Sequence, residues 1–230
     1  MRLKDHLCYK LLNLTLLTFL TVAGNCQDID EKVELVFTFH QERDIYDKSS
    51  FGEPPQFAIW LEEQDSHDVK TVFVTFKTGT GEFEGKIECP VSLPVWIGAF
   101  RRETGRDDFP IPWEPFYDGI TAATPKDEEV RISVEVQKEI SWNYFIEMNV
   151  AGDYNKNYPY ISSKKKFDDH GNGQPSLIYK GEIFSRIGET SKAEIIGRSE
   201  QYDFTTQINP ELESIELAKE VFLDIMVNCR

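Results

Sequence analysis

From Val33 onward the chain alternates apolar and polar residues in short runs rich in β-branched and aromatic side chains. A period of two sends successive side chains to opposite faces of a strand, so each run can lay one face on a core. VELVFTF from Val33, QFAIWLE from Gln56, VKTVFVTF from Val69, RISVEVQ from Arg131, WNYFIEMNV from Trp142 and SLIYKGEIF from Ser176 all fit this pattern. Turn formers separate them: GEPP at Gly52, TGTGEFEG from Thr78, DDFPIPWEP from Asp107 and DDHGNG from Asp168. No repeated helical pattern lies between the runs. The expectation is therefore a mainly β chain, an antiparallel immunoglobulin-like β-sandwich. One short helix is expected near the end, where NPELESIELAKEV opens on Asn209 as a cap, has Pro210 in its first turn, and sets Leu212, Ile215 and Ala218 on one side. LDIMVN from Leu223 reads as a closing strand.

The first 26 residues have a different character. Arg2, Lys4 and Lys10 form a positive head, and LLNLTLLTFLTVAG from Leu11 is an uncharged apolar stretch too short to span a bilayer comfortably. They read as a signal peptide or a lipoprotein signal, leaving 27–230 as a single exported sandwich domain. Cys26 in TVAGNC resembles the lipid-modified cysteine of bacterial lipoproteins, although Asn25 stands where a small residue is usual and Ala23 where Leu is usual. Ordinary cleavage near Gly24 is the alternative. Localisation follows as the periplasm, or the outer membrane or cell surface for a lipoprotein. Cys89 and Cys229 then remain, either as a disulfide formed in an oxidising compartment or as two separate buried thiols.

Forty acidic against 25 basic side chains give a net charge of −15. Such a surface repels nucleic acid and anionic lipid, and keeps a protein soluble. It also invites a search for cation sites. GDYNKNY from Gly152 has the Asp-x-Asn-x-Asn spacing that opens an EF-hand loop, but the sixth position is Tyr158 where glycine makes the sharp turn, and the twelfth is Lys164 where a bidentate Glu is needed. The stretch reads as a turn. A calcium site of another kind would arise if two loops met at one end of the sandwich, bringing Asp153, Asn155, Asp168 and Asp169 together, with His170 beside them.

Catalytic patterns are absent from the sequence. His40, His67 and His170 are the histidines beyond the leader, no G-x-S-x-G elbow accompanies them, and there is no C-x-x-C and no Gly-rich phosphate loop. Glu62 and Glu63 read as strand-end charges. Trp60, Trp96, Trp113 and Trp142 either line a sugar-binding groove or pack the core.

Several phrases in order, FAIWLE, LPVW from Leu93, DGITAATP from Asp118, WNYFIEMNVAGDYN and NGQPSLIYKGEI from Asn172, resemble the domain of unknown function 2271 family of bacterial periplasmic proteins. The resemblance implies an extracytoplasmic β-sandwich and no assigned activity. DGITAATP also resembles the acceptor motif of covalently flavinylated proteins, Asp-x-x-Ser/Thr-Gly-Ala-Thr. On that alignment Asp118 leads, Thr121 supplies the hydroxyl, and Thr124 would carry FMN as a phosphoester; Ala122 departs from the usual glycine. The reading that follows is a non-catalytic envelope module without a cofactor, partnered by envelope proteins. The alternative is a flavinylated electron-transfer protein partnered by membrane redox proteins.

Overall fold

The computed structural model describes residues 31–80, 92–106, 121–122, 125–200 and 205–230. In chain order the elements are β1 (Lys32–Gln41), α1 (Arg43–Tyr46), β2 (Gln56–Glu63), β3 (Val69–Thr75), α2 (Phe76–Thr80), α3 (Pro94–Thr104), β4 (Thr121–Ala122) and β5 (Glu129–Gln137). They continue as β6 (Ser141–Asn149), β7 (Leu177–Phe184), β8 (Thr190–Lys192), β9 (Glu194–Arg198), a 3-10 turn at Leu217–Glu220, and β10 (Phe222–Cys229). All six expected strand runs and the closing strand are present.

The strands form two sheets, ordered β5-β1-β10-β8 and β4-β3-β2-β6-β7-β9. Pairing is antiparallel except where the two-residue β4 lies parallel to β3, with Val74 opposite Thr121. The sheets stack as a sandwich because each turns an apolar face inward. Val33, Leu35, Phe37 and Phe39 of β1 meet Phe57, Ile59 and Leu61 of β2 and Tyr144, Ile146 and Met148 of β6. Rings interlock across this layer: Phe37 meets Tyr144 edge to face at 5.7 Å, and Phe39 meets Phe57 likewise at 5.7 Å. Cys229 is buried in the same core at the end of β10.

A third layer, which alternation did not foretell, covers the outer face of the larger sheet. Helix α3 lays Val95, Trp96, Ala99 and Phe100 on Ala58 and Trp60 of β2, Val74 of β3 and Ile178 of β7. This explains why β2 is buried along both faces from Gln56 to Leu61, as strands enclosed on two sides read as continuous apolar runs. Trp60, Trp96 and Trp142 are all core residues, so a groove built from these three rings does not exist; Trp113 lies outside the described residues.

The expected C-terminal helix is reduced to the 3-10 turn at Leu217–Glu220. Its start is held in extended form, because Arg198 and Asn209 exchange both backbone hydrogen bonds at 2.8 Å, and the Glu216 N–H donates to the Gln174 side chain at 2.8 Å. Tertiary partners thus take backbone groups that a helix would have used internally. Ile215 and Ala218 still face the core.

Candidate functional site

β6 and β7 are antiparallel neighbours, with Met148 opposite Leu177, yet residues 150–176 run between them instead of a tight turn. An insertion longer than about 15 residues is usually functional or disordered. This one is ordered by a polar knot at its base. The Gln174 side-chain nitrogen donates to the Asp153 carbonyl and to its Oδ2, both at 2.9 Å, and the Gln174 N–H donates to Asp153 Oδ1 at 2.7 Å. Asp168 Oδ2 accepts the Gly173 N–H at 2.7 Å. Asn149, the last residue of β6, donates from Nδ2 to the carbonyls of Asn172 and Gln174. Gly173 is obligatory here: its φ is +73°, and a Cβ would stand 2.3 Å from Asp153 Oδ1.

The knot brings together two of the four residues read as oxygen ligands. Asp153 and Asp168 are both buried. Loss of solvent pushes the Asp153 carboxyl well above the usual carboxylate range against the pull of the Gln174 donors, and the Asp168 charge adds to the rise. Asn155 is tied to the Gln174 side chain but turns its oxygen elsewhere. Its Oδ1 accepts the N–H groups of Asn157 and Tyr158 at 2.8 Å, and its Nδ2 donates to Gln174 and to the Ser214 carbonyl. Asp169 is exposed. Among the described residues no three His, Cys, Asp or Glu side chains stand together as a metal-holding group.

Above the knot the insertion narrows to a finger. Tyr154 packs edge to face on Tyr160 at 5.6 Å, and Tyr160 on Phe167 at 6.3 Å. Ile161 and Phe167 form an antiparallel bridge. The chain reverses through a turn in which the Lys165 N–H donates to the Ser162 carbonyl at 2.8 Å, with Lys165 itself left-handed at φ 57°. A β-turn followed by a left-handed residue is a standard tight hairpin closure. Tyr160, Ile161 and Phe167 are each about half exposed, at 51%, 50% and 51%, and Lys164, Lys165 and Lys166 are exposed beside them.

A second polar cluster lies under α3. Glu147 of β6 has no solvent exposure. Its carboxylate accepts the N–H groups of Val95 at 3.3 Å and Trp96 at 2.6 Å in the first turn of α3. The Ser176 hydroxyl reaches Glu147 Oε1 at 2.5 Å and Ser199 Oγ at 2.6 Å. Burial outweighs these donors and holds the carboxyl at about 7. The other end of α3 is fastened as well: Glu103 accepts from the Thr71 N–H at 3.0 Å and hydroxyl at 2.6 Å, beside the irregularity in the β2–β3 register. Desolvation also raises the Glu103 carboxyl. The outward position of Glu147 in alternating WNYFIEMNV resembles that of a solvated charge, and nothing local in the sequence reveals the helix above it.

Of the flavin motif, Thr121 starts β4 at the sheet edge, whereas Asp118 and Thr124 lie outside the described residues, as do Cys26 and Cys89. Glu62 is held by the Trp60 indole N–H at 3.1 Å and by Arg102. No described helix is long and apolar enough to cross a membrane.

No protein-family model matches the chain, and neither does any curated protein or solved structure. The family resemblance therefore rests on the quoted phrases.

Proposed function

We infer that this chain is a non-catalytic, extracytoplasmic β-sandwich module of the bacterial envelope that works by binding. The supporting observation is how its unusual carboxyl groups are used. Glu147 and Asp153, both strongly shifted in protonation, are enclosed and occupied with internal donors. Displaced pKa values at a catalytic centre are useful only where substrate can reach them. Here they serve as struts, one holding α3 to the sheet and the other holding the finger. The apolar leader with its basic head supports export.

One experiment addresses both export and redox alternatives. The chain is expressed in a bacterium carrying a flavin transferase, fractionated, and weighed by intact-mass spectrometry. The expected product is extracytoplasmic, shortened near Gly24 to Cys26, with or without lipid, and free of flavin. Full-length protein retained in the cytoplasm would overturn the envelope assignment. A mass increment of FMN, lost in Thr124→Ala, would replace binding by electron transfer as the function.

A further inference from the structure

We propose that the finger between β6 and β7 is a docking device for bilayers containing anionic phospholipid. This goes beyond the binding role above and does not depend on the absence of flavin. Residues 154–167, YNKNYPYISSKKKF, hold four lysines, Lys156, Lys164, Lys165 and Lys166, and no acidic residue, in a chain whose net charge is −15. The acids directly flanking the stretch, Asp153 and Asp168, are buried in the knot and do not face solvent, while Asp169, one place further on at the base of the finger, is exposed. All four lysines are exposed, and Lys164 and Lys165 have no ion-pair partner among the described residues.

The arrangement is specific in shape as well as charge. The Ile161–Phe167 bridge and the Ser162 to Lys165 turn put Lys164, Lys165 and Lys166 at the hairpin end, with Tyr160, Ile161 and Phe167 half exposed next to them, while Lys156 lies in a separate turn closed from Asn155 to Tyr158. A bilayer interface accepts this combination: aliphatic and aromatic side chains enter the headgroup boundary, while lysine stems lie along it with their ammonium groups at the phosphates. A protein partner is less well matched, because a stable protein interface needs roughly 800 Å² from each side, and the hairpin end from Ile161 to Phe167 is too few residues to present that area. The acidic body does not cancel the attraction. Exposed charges farther apart than a Debye length of about 8 Å are largely screened at physiological ionic strength, so the lysines at the tip set the local field.

The test is sedimentation of the purified chain with phosphatidylcholine vesicles, with and without phosphatidylglycerol, in a Cys26→Ser background that removes any acyl anchor. Thermal melts confirm that each variant is folded. Binding is expected only with phosphatidylglycerol, weakening as salt rises. Lys164→Glu with Lys165→Glu should weaken it at least about 25-fold, from roughly 1 kcal/mol for each basic residue near an anionic surface. Ile161→Ser with Phe167→Ser should weaken it too, without changing the salt dependence. The proposal is overturned if neither vesicle binds, if both bind equally, or if the lysine variant binds like the parent. It is also overturned if soluble polyglutamate removes all binding while the Ile161 and Phe167 variant binds normally, because the finger would then be a site for an acidic protein.

Discussion

The carboxylate of Glu147 lies 2.6 Å from the backbone nitrogen of Trp96, so a strand residue closes the first turn of a helix that cannot close its own. Leu93, at the position before α3, offers no side-chain acceptor. An N-terminal carboxylate also meets the positive end of the helix dipole.

Stability should depend on pH through this residue. The Glu147 carboxyl is raised from an ordinary 4.5 to about 7, so the folded state keeps a proton that the unfolded chain releases. Its contribution is complete below pH 4.5, declines as pH rises, and is gone above about 7. A gap of that size corresponds to about 3 kcal/mol. Glu147→Gln, which cannot titrate, should lose this dependence. The check is urea denaturation of parent and variant from pH 4 to 8; parallel curves would contradict the assignment. Glu147→Ala should cost about 3 kcal/mol or more at pH 4, since it strands buried donors in an empty space, and less at pH 8, where the parent has lost its own contribution.

The knot below the finger makes a separate prediction. Gln174→Ala keeps the backbone N–H bond to Asp153 but removes the side-chain nitrogen that donates to the Asp153 carbonyl and Oδ2, and an acceptor from Asn155 and Glu216, and should cost about 2 to 4 kcal/mol. Hydrogen exchange should quicken first at the amides of Gly173 and Tyr158. Uniform acceleration across β6 and β7 would instead indicate that the finger is not an independently anchored unit. Gly173→Ala should be at least as damaging, because it combines a left-handed backbone with a contact of 2.3 Å.

Helix α3 is expected to hold through aromatic packing. Trp96 and Phe100 are almost completely enclosed, and Trp96→Ala should destabilise by about 3 to 5 kcal/mol. Loss of near-ultraviolet circular dichroism with retained strand signal would show that the helix layer comes away before the sandwich opens.

Cys229 should resist thiol reagents in the native state, since desolvation raises its thiol and Glu189 adds to the effect. In denaturant without reductant it should react fully. Failure to react under those conditions would show that it is bonded to Cys89.

The sandwich was legible because its strands announce themselves locally. β1, with Val33, Leu35, Phe37 and Phe39 all pointing inward, is what alternation describes. Helix α3 was not, although LPVWIGAFRRETG carries Pro94 in its first turn and Gly105 left-handed just past its end. The cap comes from β6, far away in sequence, so Pro94 stands at the start without the local capping side chain that would identify it as a helix's first turn. The unbroken apolar run of β2 was the available clue to a second covering layer. In the finger, Asp153 and Asp168 could be foreseen as meeting, because short polar loops at one end of a sandwich converge. Gln174 could not, since a glutamine gives no sign of which partners it will find. Counting charge over the whole chain also concealed the lysines of 156–166, whose effect depends on local concentration.

One relationship in the smaller sheet bears on how the molecule is oriented. Glu34 and Arg230 exchange backbone hydrogen bonds, and the chain enters β6 beside this same pole, where the Ser185 hydroxyl donates to the Gln137 carbonyl. The finger leaves from the opposite pole, about 30 Å away over a ten-residue strand. The base of the finger and Arg230 thus lie at opposite poles of the sandwich, so a bead or a fluorescent fusion attached after Arg230 would sit away from the knot and leave it unobstructed.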